Sequence, residues 1–150
     1  MEGVKGRRIL VAVDESEQSM YALKWAVENL HLSSNDTLLL CHCKRIPVGG
    51  PGFVLTPDVA LSLERYDNRL AENLMKKAKE ICSGSQVKVE EKIVSGDARD
   101  NLCEAVKRLE ADFLVIGSHG YGTIKRAVLG SVSDYCAHNA KCPVLIVKKP

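Results

Sequence analysis

Hydrophobic residues along the chain alternate between two spacings, one typical of buried strands and the other of amphipathic helices. Short apolar runs predict strands at residues 8–13, 37–43, 86–94, 113–116 and 143–147. Between them, apolar residues recur with helical spacing, as Leu23, Ala26, Val27 and Leu30 do in the first helix. Five strands alternating with four helices predict an α/β fold with a mostly parallel sheet and helices on both faces.

The predicted helices are marked by a start signal, by an inward face, or by both. In the first, Asp14 and Glu17 have the spacing of a capping box, and Ser16 is a rival N-cap. The second covers residues 58–82, and its predicted buried stripe is Leu63, Tyr66, Leu70, Leu74, Ala78 and Ile81. The third follows a turn at Gly96 and should bury Leu102, Ala105, Val106 and Leu109, with Asp97 and Asp100 as caps. The fourth opens at Ser131, where Ser131 and Asp134 form a second predicted capping box.

Length and composition fit one folded domain. The chain has 150 residues, of which 45% are hydrophobic and 27% charged, so we expect a single domain over residues 1–150 with a Gly/Pro-rich loop at 44–57. The net charge of +2 is too small to indicate binding to nucleic acid or to an acidic membrane surface. The apolar runs are too short to cross a bilayer, and neither an export signal nor a basic nuclear-import cluster is visible. We therefore expect a cytoplasmic protein and leave a nuclear pool open.

Six cysteines stand at positions 41, 43, 82, 103, 136 and 142, without a Cys-x-x-Cys pair. Cys41 and Cys43 should share one face of a strand, but two ligands without a second pair make a poor zinc site. We interpret the six as reduced thiols used as small core residues, and a redox-sensing thiol stays open as the alternative.

A glycine-rich segment from Gly117 to Gly130 begins where the fourth strand ends. Glycines there allow the backbone to turn and to approach a ligand closely. At the far end, a helix N-terminus offers unpaired N–H groups that favour a phosphate, and Ser131 and Ser133 could add hydroxyl donors. The segment thus offers two sets of donors to one polyphosphate. Neither a P-loop nor a Gly-x-Gly-x-x-Gly after the first strand is present.

The spacing Gly117-x2-Gly120-x9-Gly130-Ser131 resembles the nucleotide-binding signature of the universal stress protein family, in its ATP-binding branch and plant-type single-domain form. The resemblance covers nearly the whole chain, including Ile-Leu-Val-Ala-Val-Asp at 9–14, Leu-Leu-Cys-His at 39–42 and Cys-Pro-Val-Leu-Ile-Val at 142–147. It implies a Rossmann-like fold of the adenine nucleotide alpha hydrolase type, with strand order 3-2-1-4-5. The ligand crevice then lies between the first and fourth strands.

The resemblance also implies roles for single residues. Asp14 would meet the ribose or adenine, and Ala12, Cys43 and Ile116 would line the adenine pocket, although the family more often has a branched aliphatic residue where Cys43 stands. Gly117 and Gly120 would approach the ribose and phosphates, and the phosphate-binding turn would comprise Gly130, Ser131, Val132 and Ser133. The candidate nucleotide-binding set also includes the neighbouring residues Val13, Ser118 and His119.

Four further side chains have alternative interpretations. His119 fits a solvated loop histidine better than an acid or donor in phosphate chemistry, and His42 fits a core histidine. Lys125 and Arg126 could contact phosphate or lie on an exposed helix face. An acid at the first strand's end also suits a receiver domain, but the third strand ends in Ser95-Gly96, without the phosphoryl-accepting aspartate.

Three classes of function remain open. The favoured one is a stress-response sensor or switch that binds ATP or AMP, with or without Mg²⁺. The others are a slow ATPase or phosphotransferase, and a dimeric chaperone-like scaffold with incidental nucleotide binding. The sequence shows no catalytic triad, carboxylate pair or metal-ligand cluster, so we expect weak hydrolysis at most and assign no catalytic or metal residue. The resemblance implies a homodimer through the last predicted strand, residues 143–147, which begins at Pro143.

Overall fold

Five strands and four helices alternate in the computed structural model, which describes residues 5–44, 56–119 and 130–150. All strand pairs are parallel, and the order β3-β2-β1-β4-β5 confirms the predicted Rossmann-like topology. The elements are β1 (Arg8–Ala12), α1 (Glu17–Asn29), β2 (Thr37–Lys44), α2 (Pro57–Cys82), β3 (Lys88–Ser95), α3 (Ala98–Arg108), β4 (Phe113–Gly117), α4 (Ser131–Asn139) and β5 (Val144–Val147).

The central strands are covered on both faces, which is why their sequences are almost continuously apolar. Ile9 and Val11 of β1 pack with α1 and α2, in what we call the α1/α2 layer. Leu10, between them, packs with α3 and α4 in the α3/α4 layer. Because side chains alternate along a strand, one apolar run supplies both cores.

Three of the four helices begin with a side-chain cap. Ser16, Thr56 and Asp97 each accept a hydrogen bond from a backbone N–H in the first turn. Ser16, and not Asp14, is therefore the N-cap of α1. The second capping box was predicted wrongly: Gly130 is the N-cap of α4, and Ser131 is already its first helical residue. The reason is that the Gly130 carbonyl oxygen accepts the Asp134 N–H at 2.9 Å, which places the first turn one residue earlier.

The predicted stripe of α2 is correct only in its C-terminal half. Leu74 and Ala78 are buried, whereas Tyr66 is 55% exposed. The buried residues of this 26-residue helix begin at Ala71, because only its second half packs on the sheet. Ile93 of β3 is 43% exposed because β3 is an edge strand. Of the predicted loop at 44–57, residues 45–55 lie outside the described part of the chain.

An ion pair between the partly exposed Arg7 and the buried Asp36 joins the residues that precede β1 and β2. The Asp36 carboxylate accepts the Arg7 backbone N–H at 2.8 Å, the Arg7 guanidinium at 2.9 Å and the Ser33 N–H at 2.9 Å. The Arg7 hydrogen bond holds the pKa of Asp36 well below its usual range. The same guanidinium donates to the Leu30 carbonyl at 2.8 Å, which ties the end of α1 to the start of β2.

Of the helices in the described ranges, none is long and apolar enough to cross a membrane.

Candidate functional site

The carboxyl ends of β1 and β4 lie side by side at the point where the strand order reverses. The last residues that β1 and β4 pair with each other are Val11 and Val115. Beyond them, Ala12 still pairs with β2, and Ile116 and Gly117 still pair with β5. β2 follows β1 on one side and β5 follows β4 on the other. This is the position at which open parallel sheets bind ligands, and the sequence places its candidate residues here.

Asp14 lies in a hydrogen-bond network at the start of α1. Its Oδ1 accepts the Ser16 backbone N–H at 2.8 Å and also the Ser16 hydroxyl. Its own N–H donates to the Ser19 hydroxyl at 2.8 Å, and that hydroxyl donates to the Ala12 carbonyl at 3.2 Å. The half-buried carboxylate is thus held rigidly, and both hydrogen bonds fall on one of its two oxygens.

Gly117, at the end of β4, is a glycine because α1 packs directly against it. A Cβ here would lie 3.0 Å from the Gln18 carbonyl carbon and oxygen and 3.3 Å from the Ser19 N. This space lies against the protein's own backbone, so close approach to a ligand is not what requires the glycine. Asp14 and Gly117 therefore both meet the first turn of α1 at Ser19, a residue that sequence reasoning missed because nothing in the pattern distinguishes it from other helix serines.

Ser118 joins the two ends of the glycine-rich segment. Its carbonyl oxygen accepts the Gly130 N–H at 2.7 Å and the Ser133 hydroxyl at 2.9 Å. Its own N–H donates to the Val147 carbonyl at 3.0 Å. The two segments are thus brought together as predicted. Two of the predicted donors are, however, used internally: the Ser118 amide pairs with β5, and the Ser133 hydroxyl faces the Ser118 and Gly130 carbonyls.

The first turn of α4 carries backbone N–H groups without partners inside the helix. Its N-cap, Gly130, has no side chain to accept them, unlike the caps of the other three helices. The amides of Ser131, Val132 and Ser133 occupy the first three helical positions, where an α-helix leaves its N–H groups unpaired. These amides and the positive end of the helix dipole favour an anion.

The predicted adenine-lining residues share one side of the sheet. Ala12, Cys43 and Ile116 all pack in the α3/α4 layer, although they come from β1, β2 and β4. Val132, predicted as part of the phosphate-binding turn, packs in the same layer. The Val13 side chain does not join them, because it is buried in the α1/α2 layer. The Val13 carbonyl oxygen lies 3.0 Å from Nδ1 of the buried His42, so His42 has the core role that the sequence indicated.

His119 lies next to Gly130 and is half-buried rather than fully solvated. A Cβ on Gly130 would lie 3.2 Å from the His119 Cα and 3.0 Å from the Ser118 carbonyl oxygen. The glycine at 130 is therefore required by this backbone contact. Gly120, Lys125 and Arg126 lie outside the described residues.

Polar side chains of α3 and α4 form a cluster that the sequence predicted only in part. Asp97 caps α3 and pairs with Arg99 at 3.0 Å, and the Arg99 guanidinium stands 5.9 Å from the centre of the Tyr135 ring. Asp100, predicted as a cap, instead accepts the Tyr135 hydroxyl at 3.3 Å. The contact with α4 could not be predicted because it depends on how the two helices pack.

Within residues 5–44, 56–119 and 130–150, no group of three or more His, Cys, Asp or Glu side chains could hold a metal ion.

The family model for the universal stress protein family matches residues 6–148. The chain belongs to this family. It is 31% identical to Universal stress protein PHOS34 of Arabidopsis thaliana, over 96% of this chain and 62% of the relative, so it spans less than two thirds of that protein's length. It is 28% identical to an Arabidopsis thaliana Universal stress protein A-like protein, over 98% of this chain and 93% of the relative.

Solved structures of the family share the fold. A universal stress protein family protein from Arabidopsis thaliana, solved with AMP bound, superposes with a TM-score of 0.65 at 26% identity, over 96% of this chain and 92% of that one. A universal stress protein in complex with cAMP gives 0.69, also at 26% identity, over 94% and 96%. UspA from Lactobacillus plantarum gives 0.75 at 20% identity, over 97% and 99%.

Proposed function

We propose that this protein binds an adenine nucleotide, ATP or AMP, at the carboxyl end of β1 and β4 and acts as a nucleotide-dependent sensor in a stress response. The observation that carries the proposal is the junction at Ser118. Hydrogen bonds from Gly130 and Ser133 to its carbonyl hold the uncapped start of α4 at the end of β4. Relatives of this chain have been solved with AMP and with cAMP, which supports an adenine nucleotide as the ligand class.

In the proposed complex, the phosphates accept hydrogen bonds from the amides of residues 131–133, because helix N-termini stabilise anions. The adenine packs on the apolar side chains of Ala12, Cys43, Ile116 and Val132, which share the α3/α4 layer. The second carboxylate oxygen of Asp14 accepts a ribose hydroxyl. A Mg²⁺ ion, if it takes part, would bind through the phosphate oxygens, because such ions usually keep several waters and few protein ligands.

The sensor role rests on occupancy rather than turnover. No described cluster combines a nucleophile with an oriented base, and His119 has no hydrogen bond that would fix it as one among the described residues. Bound nucleotide would instead stabilise the folded protein and alter the surface at the carboxyl end of the sheet, where a partner could read it. We also propose a cytoplasmic homodimer that pairs through β5, an edge strand whose Val144, Leu145 and Ile146 are only half-buried.

Isothermal titration calorimetry with ATP and with AMP, each with and without Mg²⁺, tests the ligand. We expect one site per chain, and an absence of both heat and thermal shift at millimolar nucleotide would defeat the proposal. Phosphate release measured on the same samples tests turnover. Release of many phosphates per site per minute, lost in His119→Ala, would favour the ATPase instead. Sedimentation velocity tests the dimer, and a monomer at all concentrations would remove it.

A further inference from the structure

Five of the six cysteines lie in the same layer of the fold. Cys41 and Cys136 are fully buried in the α3/α4 layer, and Cys43, Cys103 and Cys142 pack against it. Only Cys82 lies in the α1/α2 layer. These thiols come from β2, α3, α4 and the turn before β5, so chain proximity explains only the pair on β2. All six are free thiols.

Cys103 of α3 packs against the buried cluster that contains Cys136 of α4. The two helices meet beside these cysteines, where the Tyr135 hydroxyl donates to Asp100 at 3.3 Å. Cys136 is 0% exposed, whereas Cys103 is partly exposed. Burial, with a further contribution from the adjacent Cys103 sulfur, raises the pKa of the Cys136 thiol to about 12. Cys136 is thus a protonated thiol shielded from solvent, and Cys103 is the member of the pair that a soluble oxidant can reach.

We propose that Cys103 and Cys136 form a reversible disulfide between α3 and α4 when the protein meets a hydroperoxide. The Cys103 thiolate attacks the O–O bond; an S–O bond forms, the O–O bond breaks, and the leaving oxygen takes up a proton as water or alcohol. The Cys136 sulfur then attacks the sulfenic sulfur of Cys103. The S–S bond forms, the S–O bond breaks, and the hydroxide leaves as water with the Cys136 proton. The two sulfurs together lose two electrons, and the hydroperoxide gains them.

The crosslink would act on the helix that carries the candidate phosphate turn. Cys136 follows Ser133 by three residues, so the two side chains lie on one face of α4, and both are buried. Ser133 is the residue whose hydroxyl holds the Ser118 carbonyl. A disulfide at Cys136 therefore fixes α4 to α3 directly behind that contact. The disulfide itself does not depend on the proposed nucleotide binding.

Mass spectrometry of the fully reduced protein after exposure to hydrogen peroxide tests the proposal. We expect a loss of two hydrogens in the intact mass, a peptide pair joining Cys103 to Cys136, and recovery of the original mass with dithiothreitol. Thiol titration after denaturation should show that two of the six cysteines have been consumed. The variant Cys103→Ser, changed at the partly exposed member, should fold and lose the crosslink.

Cys82→Ser is the matched control, because Cys82 is buried in the other layer; it should crosslink at the wild-type rate. A wild-type protein that accumulates only Cys103 sulfinic acid would overturn the proposal, since that product forms when no thiol resolves the sulfenic acid. A crosslink of Cys103 to Cys142, or a crosslink only between two chains, would overturn it equally.

Discussion

The Gly130 backbone N–H donates a hydrogen bond of 2.7 Å to the Ser118 carbonyl oxygen. This bond sets the start of α4 against the end of β4, so the carboxyl end of the sheet and a helix N-terminus form one surface. The Ser133 hydroxyl donates to the same oxygen at 2.9 Å and fixes the rotation of the helix. The proposed phosphate site depends on this relationship, because it brings the first-turn amides of α4 to the end of β4.

Ser131→Glu should weaken ATP binding without harming the fold. Ser131 is exposed at the first position of α4, where a carboxylate repels phosphate but interacts favourably with the helix dipole. We expect the Kd for ATP to rise by about tenfold or more, which corresponds to about 1.4 kcal/mol. Calorimetry measures this change. Ser131→Gln is the matched neutral control, and an equal loss of affinity in that variant would assign the effect to size rather than charge.

Asp14→Asn separates the structural and ligand roles of the carboxylate. The asparagine oxygen can still accept the hydrogen bonds from Ser16, so we expect little change in the free energy of unfolding. Losing the charge opposite a ribose hydroxyl should weaken nucleotide binding by about tenfold. Asp14→Ala should also destabilise the protein by about 1 kcal/mol, because both hydrogen bonds are lost. If Asp14→Asn binds ATP with the affinity of the wild type, the Asp14 side chain only stabilises the start of α1 and does not contact the nucleotide.

Ser133→Ala should destabilise the protein by about 1–2 kcal/mol. The change removes the buried hydroxyl that donates to the Ser118 and Gly130 carbonyls at 2.9 and 3.1 Å. Urea unfolding measures the difference. Ser131→Ala, two residues earlier on the same helix and exposed, is the control and should change stability by less than about 0.5 kcal/mol. Equal effects of the two changes would mean that the junction contributes little.

Asp36→Asn should lower stability at neutral pH and flatten its pH dependence. The folded-state pKa of Asp36 lies below its unfolded value, so its contribution is fully present above the ordinary carboxyl pKa and is lost as the pH falls. Unfolding free energies from pH 7 down to about pH 3 should therefore fall more steeply for the wild type. At pH 7 the variant should be less stable by roughly 2 kcal/mol. Parallel curves would refute the role of the Arg7 pair.

Glu110→Gly should stabilise the protein by about 0.5–1 kcal/mol. Glu110 follows α3 with a φ of 52°, a left-handed conformation that costs a residue with a Cβ but is free for glycine. Glu104→Gly is the matched control, because Glu104 is exposed inside α3; it should destabilise by about 1 kcal/mol. Thermal unfolding of both variants measures these changes. A loss of stability in Glu110→Gly would show that the left-handed conformation at position 110 does not cost stability.

The strands were predictable because each buried strand is a short apolar run that supplies both faces of the sheet. The family resemblance supplied the order, and the pairing of β1 with β4 agrees with it. Tyr66 was predicted wrongly, and Ile93 is exposed, because a periodic pattern identifies an apolar face without saying whether another element covers it. The first half of α2 and the edge strand β3 carry such faces.

Within the candidate site, the sequence indicated which segments meet but not how their hydrogen bonds are used. Gly117 and Gly130 were assigned to ligand approach, whereas the backbones of α1 and of residues 118–119 explain both glycines. The Ser133 hydroxyl turned inward for the same reason that the Ser118 amide pairs with β5: buried polar groups take the nearest protein partner. Such partners follow from tertiary packing, which the local pattern does not contain.

Backbone amide shifts of ¹⁵N-labelled protein during titration with ATP test the central claim most directly. The account predicts saturable shifts that are largest at Ser131, Val132 and Ser133, with smaller ones at Asp14 and Ser118. Ser131→Glu should raise the concentration needed for saturation. Shifts confined to other parts of the sheet, or none at millimolar ATP, would contradict the account.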